Sequence, residues 1–345
     1  MKILDMRSDT VSHPTQQMRQ AIFEAEVGDD GHGEDPTVNR LQQMAADMFN
    51  KEAALLTCSG TMGNLLGVMT NTQPGDEVVL GSEAHILWFE VGGASAVAGT
   101  LLRALPNDEQ GRIAHADLEA ALRMNHTHSR NMGLLCLENT HNRCGGAAIS
   151  ADYTDNIANI AHKNGLKVHL DGARIFNASV ALNTPVSQLA DSVDTVTFCL
   201  SKGLGGPVGS VLCGSAEAIE RARRLRKMIG GQLRQAGIIA AAGIVALDSM
   251  IDRLADDHKN AKRLAEGLAQ IEGVSVELDK VQTNMFRFTV ADNISGNVLS
   301  ERLIEKGIKF GAGGSSFRVV LHWQIDASDV DYILENMRSA VKALS

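Results

Sequence analysis

Two segments, LKVHLDGAR (residues 166–174) and TVTFCLSKG (195–203), each place a short apolar run directly before charged residues and a glycine. The same kind of run recurs in AALLT (53–57), EVVLG (77–81), GLLCLE (133–138) and GSVLC (209–213). Uninterrupted apolar runs are typical of strands that are covered on both faces, and stretches of helical spacing separate them here. The pattern predicts an α/β fold with a mostly parallel sheet.

The sequence pattern changes after the last of these apolar runs. A charged helical stretch (253–271) leads into VSVEL and MFRFTV, the helix VLSERLIEKG, a Gly/Ser-rich turn (311–316), the strand FRVVLHW and a last helix. A chain of 345 residues has room for two domains. We predict a large domain over residues 1–250 and a small domain over 251–345, with the first 25 residues assignable to either.

Composition and charge favour a protein that acts on small molecules. The chain has 32 Lys and Arg against 41 Asp and Glu, a net charge of −9, whereas nucleic acids and anionic membranes attract basic surfaces. It has no apolar stretch of the length that a membrane span needs, and its charged N-terminus does not resemble a secretory signal. Five cysteines form no CxxC pair, which disfavours a disulfide framework. We therefore expect a cytoplasmic protein.

Several motifs that would indicate other chemistry are absent. The sequence has no Gly-Lys dipeptide, GxGxxG, GxSxG or HExxH, which disfavours P-loop, nicotinamide, serine-hydrolase and zinc-protease sites. Three histidines and two cysteines lie close together in sequence, namely His126, His128, Cys136, His141 and Cys144. Because their spacing matches no standard zinc pattern, we predict no metal site.

Polar residues follow the ends of four predicted strands, the edge at which doubly wound sheets bind ligands. These are Lys202, Asp171 with Arg174, the tripeptide 59–61 (Ser-Gly-Thr) and His85. Each has an ordinary explanation as a surface charge, a turn former or a helix cap. The combination is more specific than any one of them.

Together these groups match the needs of pyridoxal 5′-phosphate. Lys202 can form a Schiff base with its aldehyde, and Asp171 can keep its pyridine nitrogen protonated. The N–H groups of Gly60 and Thr61 at a helix start suit its phosphate, with hydroxyls of Thr61 and Ser201 as further donors. The imidazole of His85, which follows the predicted strand EVVLG, can cover the cofactor ring. The interval from Asp171 to Lys202 fits one crossover between neighbouring strands.

The sequence also resembles a known family, the low-specificity L-threonine aldolases, which are fold-type I pyridoxal-phosphate enzymes of aspartate-aminotransferase-like architecture. The resemblance extends in order from residue 7 to Arg318. It is carried by RSDTV, GEDPTVN, KEAAL, SGTMGN, ENTHN, DGARIFNA, CLSKGLGGPVGS, RKM, RQAGI and QTNM. DGARIFNA and LSKGLG are its most specific motifs.

The resemblance implies roles for the cofactor residues. It makes Lys202 the Schiff-base lysine, places Asp171 at the pyridine nitrogen and stacks His85 on the ring. His128 occupies the position of a second active-site histidine. Either histidine, or a water held by one of them, is the candidate base, and the sequence does not choose between them.

The resemblance also implies a substrate site and an assembly. Arg174 and Arg318 would bind a cofactor oxygen or the substrate carboxylate, which Ser8 would also contact. Lys227 and Arg234 lie in a segment that reaches a neighbouring subunit's site in this family. A homotetramer is therefore expected.

The implied activity is the cleavage of L-threonine or L-allo-threonine to glycine and acetaldehyde, a lyase reaction of amino-acid metabolism. An amino-acid racemase or a β-eliminating lyase of the same fold is the nearest alternative. A nucleic-acid binder using RARRLRK (221–227) is the alternative from another class. The sequence departs from the family at His32, Gln232 and Leu321, which directs attention to the pocket for the β-substituent.

Overall fold

The computed structural model describes residues 2–123 and 130–344 of the chain. Its strands form a seven-stranded and a five-stranded sheet. The seven-stranded sheet contains β2 (Ala53–Thr57), β3 (Glu77–Gly81), β4 (Leu101–Leu105), β5 (Met132–Glu138), β6 (Lys167–Asp171), β7 (Thr195–Cys199) and β8 (Ser210–Gly214). The five-stranded sheet contains β1 (Leu4–Met6), β9 (Val274–Val276), β10 (Met285–Val290), β11 (Ile308–Gly313) and β12 (Ser316–Val320).

Helices connect and cover these strands. They are α1 (Gln16–Phe23), α2 (Pro36–Phe49), α3 (Gly60–Asn71), α4 (His85–Trp88), α5 (Gly93–Ala96), α6 (His115–Leu122), α7 (Ala151–Lys163), α8 (Ile175–Leu182), α9 (Val186–Leu189), α10 (Ala216–Met228), α11 (Gly237–Ser249), α12 (Leu254–Leu268), α13 (Gly296–Glu305) and α14 (Ala327–Lys342). Among the described residues, no helix combines the length and the apolar character that crossing a bilayer requires.

The large sheet has the order β2-β8-β7-β6-β5-β3-β4. Strand β8 runs antiparallel to both of its neighbours, and the pairings from β7 to β4 are parallel. The predicted α/β fold with a mostly parallel sheet is thus confirmed. The sequence did not predict β4, because this edge strand is interrupted by Arg103 and is half-exposed rather than uniformly apolar.

Helix packing on the large sheet follows from local sequence. Helix α2 begins with Asp35 as its cap, whose carboxylate accepts from the N–H groups of Thr37 and Val38. It covers the sheet with Phe49, whose ring stacks on Phe198 at 5.2 Å between centroids. Helix α11 is apolar on nearly every side and is correspondingly buried. The contact between Phe49 and Phe198 holds α2 against β7.

The small sheet has the order β1-β11-β12-β10-β9, with β1 parallel to β11. The first residues therefore lie with the C-terminal strands, while the division of the chain near residue 250 stays a prediction. The turn predicted over 311–316 is wrong in extent. Gly311 to Gly313 belong to β11 and pair with β12, so that the reversal is left to Gly314, whose φ of +63° suits glycine, and Ser315.

Candidate active site

The site forms where β6 and β7 end side by side. Asp171 is the last residue of β6 and pairs in register with Thr197 of β7, three residues before Leu200 and the Ser201-Lys202 pair. The predicted adjacency of these two strand ends is confirmed. On the next strand, β5, Glu138 is in register with Asp171. The parallel order of the three strands therefore brings a lysine and two carboxylates to one edge of the sheet.

The start of α3 supplies a site for an anion. Ser59 caps this helix by accepting from the N–H of Met62, which leaves the first-turn N–H groups of Gly60 and Thr61 for a ligand. A Cβ atom at residue 60 would lie 2.8 Å from Sγ of Cys199. Only glycine fits without displacing β7, so the backbone can approach the strand end closely. A phosphate fits this helix start.

Asn64, one turn further along α3, connects the acidic groups of the site. Its Nδ2 donates to Oδ2 of Asp171 at 2.8 Å and to Oε1 of Glu90 at 2.7 Å. All three residues are buried. A buried carboxylate needs donors around it, and one amide group serves two carboxylates here. Neither Asn64 nor Glu90 was among the predicted site residues.

The orientation of the Asn64 amide is set by His169 on β6. Nε2 of His169 lies 3.2 Å from Oδ1 of Asn64, and its Nδ1 lies 2.9 Å from Oγ1 of Thr195, which in turn accepts from Asn71. Burial lowers the pKa of His169 to about 4, so the ring is neutral. The neutral ring donates through Nε2 and accepts through Nδ1, and the amide nitrogen of Asn64 is thereby directed at the carboxylates.

His85 begins α4, beside this group. Its backbone N–H donates to Oε2 of Glu138 at 2.7 Å, and Nδ1 lies 2.9 Å from Oε1 of Glu90. Burial opposes charge on the ring. The hydrogen bond to Glu90 and the charge of Asp171 outweigh burial, and they raise the pKa of His85 above its ordinary value.

Two arginines converge on the amide oxygen of Asn142. Arg318 Nη2 donates to Oδ1 at 2.7 Å, and Arg174 Nη1 donates to it at 3.4 Å. Arg174 is also held by Asp9, which accepts from Nε at 2.7 Å and from Nη2 at 2.6 Å. Although Asp9 is fully buried, the charge of Arg174 lowers its pKa to about 2. The pair is therefore ionised.

Arg318 differs from Arg174 in having no carboxylate partner among its described hydrogen bonds. Burial, together with the positive charge of Arg174, lowers its pKa to about 10, so it is still protonated at neutral pH. The charge of Arg174 is balanced by Asp9, whereas the guanidinium of Arg318 lacks such a partner and leaves a positive charge. The surplus favours an anionic ligand beside Asn142, and a guanidinium is well suited to a carboxylate.

The remaining predicted residues lie at different distances from this centre. Ser8 precedes Asp9, and its Oγ accepts from the N–H of Thr10. His128 lies outside the described residues. In the single chain, Lys227 is exposed in the last turn of α10, and Arg234 is exposed and ion-paired with Asp29.

The basic run on α10 does not form a uniform cationic face. Arg226 is buried, donates to Asp30 at 2.6 Å and to the backbone oxygen of Leu56 at 2.7 Å, and so joins two segments of the chain. Of the departures from the family pattern, Gln232 lies against Gly31. Leu321 is fully buried in the core of the small sheet rather than at the site.

A cluster of potential metal ligands exists at the site. Within the described residues, ligand atoms of His85, Glu90 and Asp171 lie within 4.8 Å of one another. The space between the two carboxylates is occupied by the donating Nδ2 of Asn64, an atom that does not bind metals. The donor set is therefore suited to hydrogen bonding rather than to a cation.

The arrangement fits pyridoxal 5′-phosphate. It offers an amine at Lys202, a carboxylate at Asp171 whose position is fixed by Asn64 and by the N–H of Ala173, and a helix start for a phosphate. His85 stands between Asp171 and Phe89, with 5.4 Å between the two ring centroids. These are the groups that such a cofactor requires.

Comparison with known proteins gives one consistent result. Residues 5–291 match the family "Beta-eliminating lyase". The chain is 46% identical to low-specificity L-threonine aldolase 1 of Arabidopsis thaliana, covering 99% of this chain and 97% of that protein. It is 36% identical to the low specificity L-threonine aldolase of Escherichia coli K12, covering 98% and 99%.

Solved structures of two enzymes superpose on this fold. The Leishmania major threonine aldolase structure superposes with a TM-score of 0.83 at 18% identity, covering 99% of this chain and all (100%) of that one. A serine palmitoyltransferase from Sphingomonas wittichii superposes with a TM-score of 0.77, also at 18% identity, covering 99% and 88%. At such identities the likeness concerns the fold, and it agrees with the predicted fold-type I architecture.

Proposed function

Since the chain belongs to the Beta-eliminating lyase family, and within it to the low-specificity L-threonine aldolases, we propose that it cleaves L-threonine and L-allo-threonine to glycine and acetaldehyde. It is an aldehyde-lyase. The observation that best supports this activity is the convergence of Arg174 and Arg318 on Asn142. A carboxylate-binding pair beside Lys202 and Asp171 is what an amino-acid substrate requires.

The cofactor in this proposal is pyridoxal 5′-phosphate. Lys202 would bind its aldehyde, Asp171 its pyridine nitrogen, and Gly60, Thr61 and Ser201 its phosphate, with Arg174 near a ring oxygen. When bound, the cofactor accepts the electron pair released from the cleaved Cα–Cβ bond. The contribution of Asp171 is a fixed negative charge, which Asn64 and Ala173 keep in place by donating one hydrogen bond to each carboxylate oxygen.

The substrate carboxylate would replace the Asn142 oxygen as the acceptor for Arg318. A guanidinium without a carboxylate partner of its own is available for this contact, whereas Arg174 is largely committed to Asp9. Ser8, next to Asp9 on the same segment, would be a further donor. Two fixed points on the carboxylate restrict rotation about the bond to Cα, and this orientation selects which bond breaks.

The β-hydroxyl proton has to reach a base when the bond breaks. A histidine suits this task because its ordinary pKa lies near neutral pH. His85 is held at Nδ1 by Glu90 and at its backbone N–H by Glu138, and its Nε2 is the atom that would take the proton. His128 is the second candidate, directly or through a water.

We also propose that the enzyme acts as a homotetramer in the cytoplasm, with Lys227 and Arg234 reaching the site of a neighbouring subunit. Large apolar side chains exposed in the single chain support an assembly, among them Phe23 at 85% and Met228 at 67%. Met228 directly follows Lys227. Sedimentation equilibrium tests the tetramer, and loss of turnover on replacing Arg234 with intact assembly would support the shared site.

A direct test is to measure acetaldehyde and glycine from L-threonine and, separately, from L-allo-threonine. Lys202→Ala should bind no cofactor covalently and should lose at least a thousandfold in kcat, while its circular dichroism spectrum is unchanged. Asp171→Asn should keep cofactor but lose activity. Racemised threonine or an α-keto acid in place of acetaldehyde would indicate the racemase or β-eliminating alternative. Normal turnover by Lys202→Ala would refute the assignment.

A further inference from the structure

The side chain of Glu90 is buried next to the candidate site. Its side chain is 4% exposed, although the large side chains just before it are about half exposed, at 53% for Trp88 at the end of α4 and 50% for Phe89. A carboxylate buried beneath an exposed loop is costly unless it is fully hydrogen-bonded. Its partners are His85 and Asn64, both of which lie at the site.

The backbone around Glu90 is strained in a way that turns this side chain inward. Val91 has a φ of +54°, a region that β-branched residues rarely adopt. Its own side chain is 96% exposed in the single chain, so contacts of that side chain within the chain do not hold the conformation. Such strain persists only where the surroundings impose it. The neighbouring Glu90 is buried here, with its Oε1 accepting from Asn64 and lying 2.9 Å from Nδ1 of His85.

We propose that Glu90 is a positioning residue, which holds the imidazole of His85 with its proton on Nδ1 and leaves Nε2 to receive and return the substrate proton. The proposal rests on the aldolase function above. It identifies a second carboxylate of the site, distinct from Asp171, whose partner is the histidine rather than the cofactor.

The direction of the hydrogen bonds carries the assignment. Because Nε2 of His169 donates to the amide oxygen of Asn64, the amide nitrogen of Asn64 faces Glu90 and Asp171. Glu90 Oε1 is thus an acceptor toward Asn64. Burial and the charge of Asp171 raise the pKa of Glu90, and the hydrogen bonds to His85 and Asn64 oppose that shift. With Glu90 ionised, its carboxylate is an acceptor only, so Nδ1 of His85 is the donor. The backbone N–H of His85 is tied to Glu138, and the ring therefore keeps one orientation.

The opposite nitrogen is left available by this arrangement. Among the described residues, none hydrogen-bonds to Nε2 of His85. The side chain is 25% exposed, so a ligand can reach the ring. A carboxylate that orients a histidine through one nitrogen while the other works on the substrate is a recurrent catalytic arrangement.

The charges around His85 determine how its titration responds to a change at Glu90. They come from Glu90 on its own loop, Asp171 at the end of β6, Lys202 after β7 and Glu138 at the end of β5. The hydrogen bond that the ring donates to Glu90 favours the protonated form of His85, and the charge of Lys202 opposes it. Neutralising Glu90 should therefore lower the pKa of His85.

The first experiment determines the protonation site of His85 without any turnover. In cofactor-free protein labelled with 15N-histidine, long-range 1H–15N spectra distinguish the two neutral imidazole forms, and His85→Asn assigns the signal. We expect a proton on Nδ1 of His85 in the wild type. In Glu90→Gln we expect that preference to be reduced and the titration midpoint of the ring to fall by about one pH unit. A proton on Nε2 in the wild type would overturn the proposal.

The second experiment measures kcat and KM for acetaldehyde release against pH. Glu90→Gln should lower kcat at least tenfold with little change in KM, and the acid limb of kcat/KM should move to lower pH. Glu90→Asp should restore part of kcat. Glu83→Gln is the matched control, because Glu83 lies nearby on the same segment but pairs with Arg143 at 2.6 Å.

The outcomes separate the two claims. If Glu90→Gln loses stability but keeps the wild-type acid limb and His85 spectrum, Glu90 is structural and the proposal fails. If the wild type releases no acetaldehyde, the proposed function fails, and the spectrum still reports the protonation of His85. If Glu90→Gln does not fold, the wild-type spectrum and Glu90→Asp decide.

Discussion

The buried histidine on β6 should make the protein sensitive to mild acid. His169 is fully buried, and burial lowers its pKa from 6.5 to about 4. Above pH 6.5 the ring is neutral in the folded and the unfolded chain and costs nothing. Between pH 6.5 and pH 4 the unfolded chain binds the proton and the folded chain does not, so stability falls by about 1.4 kcal/mol per pH unit, to a loss of about 3 kcal/mol.

The perturbation that tests this is His169→Gln. Urea unfolding of cofactor-free protein, at one fixed protein concentration, gives the free energy of unfolding at pH 7.5 and pH 4.5. The wild type should lose about 2 to 3 kcal/mol more between these pH values than the variant does. Any constant effect of the substitution cancels, because each protein is compared with itself. His258, whose pKa is also lowered to about 4, is present in both and cancels too.

A surface control, His13→Gln, should follow the wild type, since His13 is exposed. Equal acid losses in the wild type and His169→Gln would refute the reasoning, and would mean that His169 is protonated in the folded chain. In that case Nδ1 could not accept from Thr195, and the chain of hydrogen bonds to Asn64 would have to be redrawn.

Two further predictions concern ligands of the site. Asn142→Ala should raise KM for threonine severalfold, because the guanidinium groups of Arg174 and Arg318 lose the acceptor that aligns them. Initial rates over a range of threonine concentrations check this, and an unchanged or lower KM would contradict it. Gly60→Ala should weaken cofactor binding at least tenfold, since its Cβ would lie 2.8 Å from Sγ of Cys199. Titration of cofactor-free protein followed by absorbance measures the affinity, and an unchanged affinity would contradict the phosphate site proposed at the start of α3.

The strands of the large sheet other than β4 could be predicted because each carries its own run of apolar residues. The apolar runs at 53–57 and 77–81 coincide with β2 and β3. Strand β4 lacks that signal, since one of its faces is half-exposed at the sheet edge. The turn at 311–316 was overextended because glycines indicate flexibility locally, whereas pairing with Arg318 across the hairpin decides the conformation.

The candidate site divides in the same way. Lys202 and Asp171 stand directly after apolar runs, so position in the sequence identifies them. Asp9 lies within the quoted motif RSDTV, but its pairing could not be predicted, because its partner Arg174 is 165 residues away and no local period links them. Asn64 and Asn142 lie within quoted motifs, SGTMGN and ENTHN. The roles of Asn64 and Asn142 follow from their hydrogen-bond partners, which only the three-dimensional structure shows.

The pairing of the first strand with β11 has a consequence for biosynthesis. Leu4 lies beside Ile308, and the segment that follows β1 carries Asp9 to Arg174. A ribosome must therefore have released almost the entire chain before the first residues it made can take their final place. Contacts of such long sequence separation form late. We expect nascent chains that end before β11 to leave Arg174 without its buried counter-ion, and a competent site to arise only after translation is nearly complete.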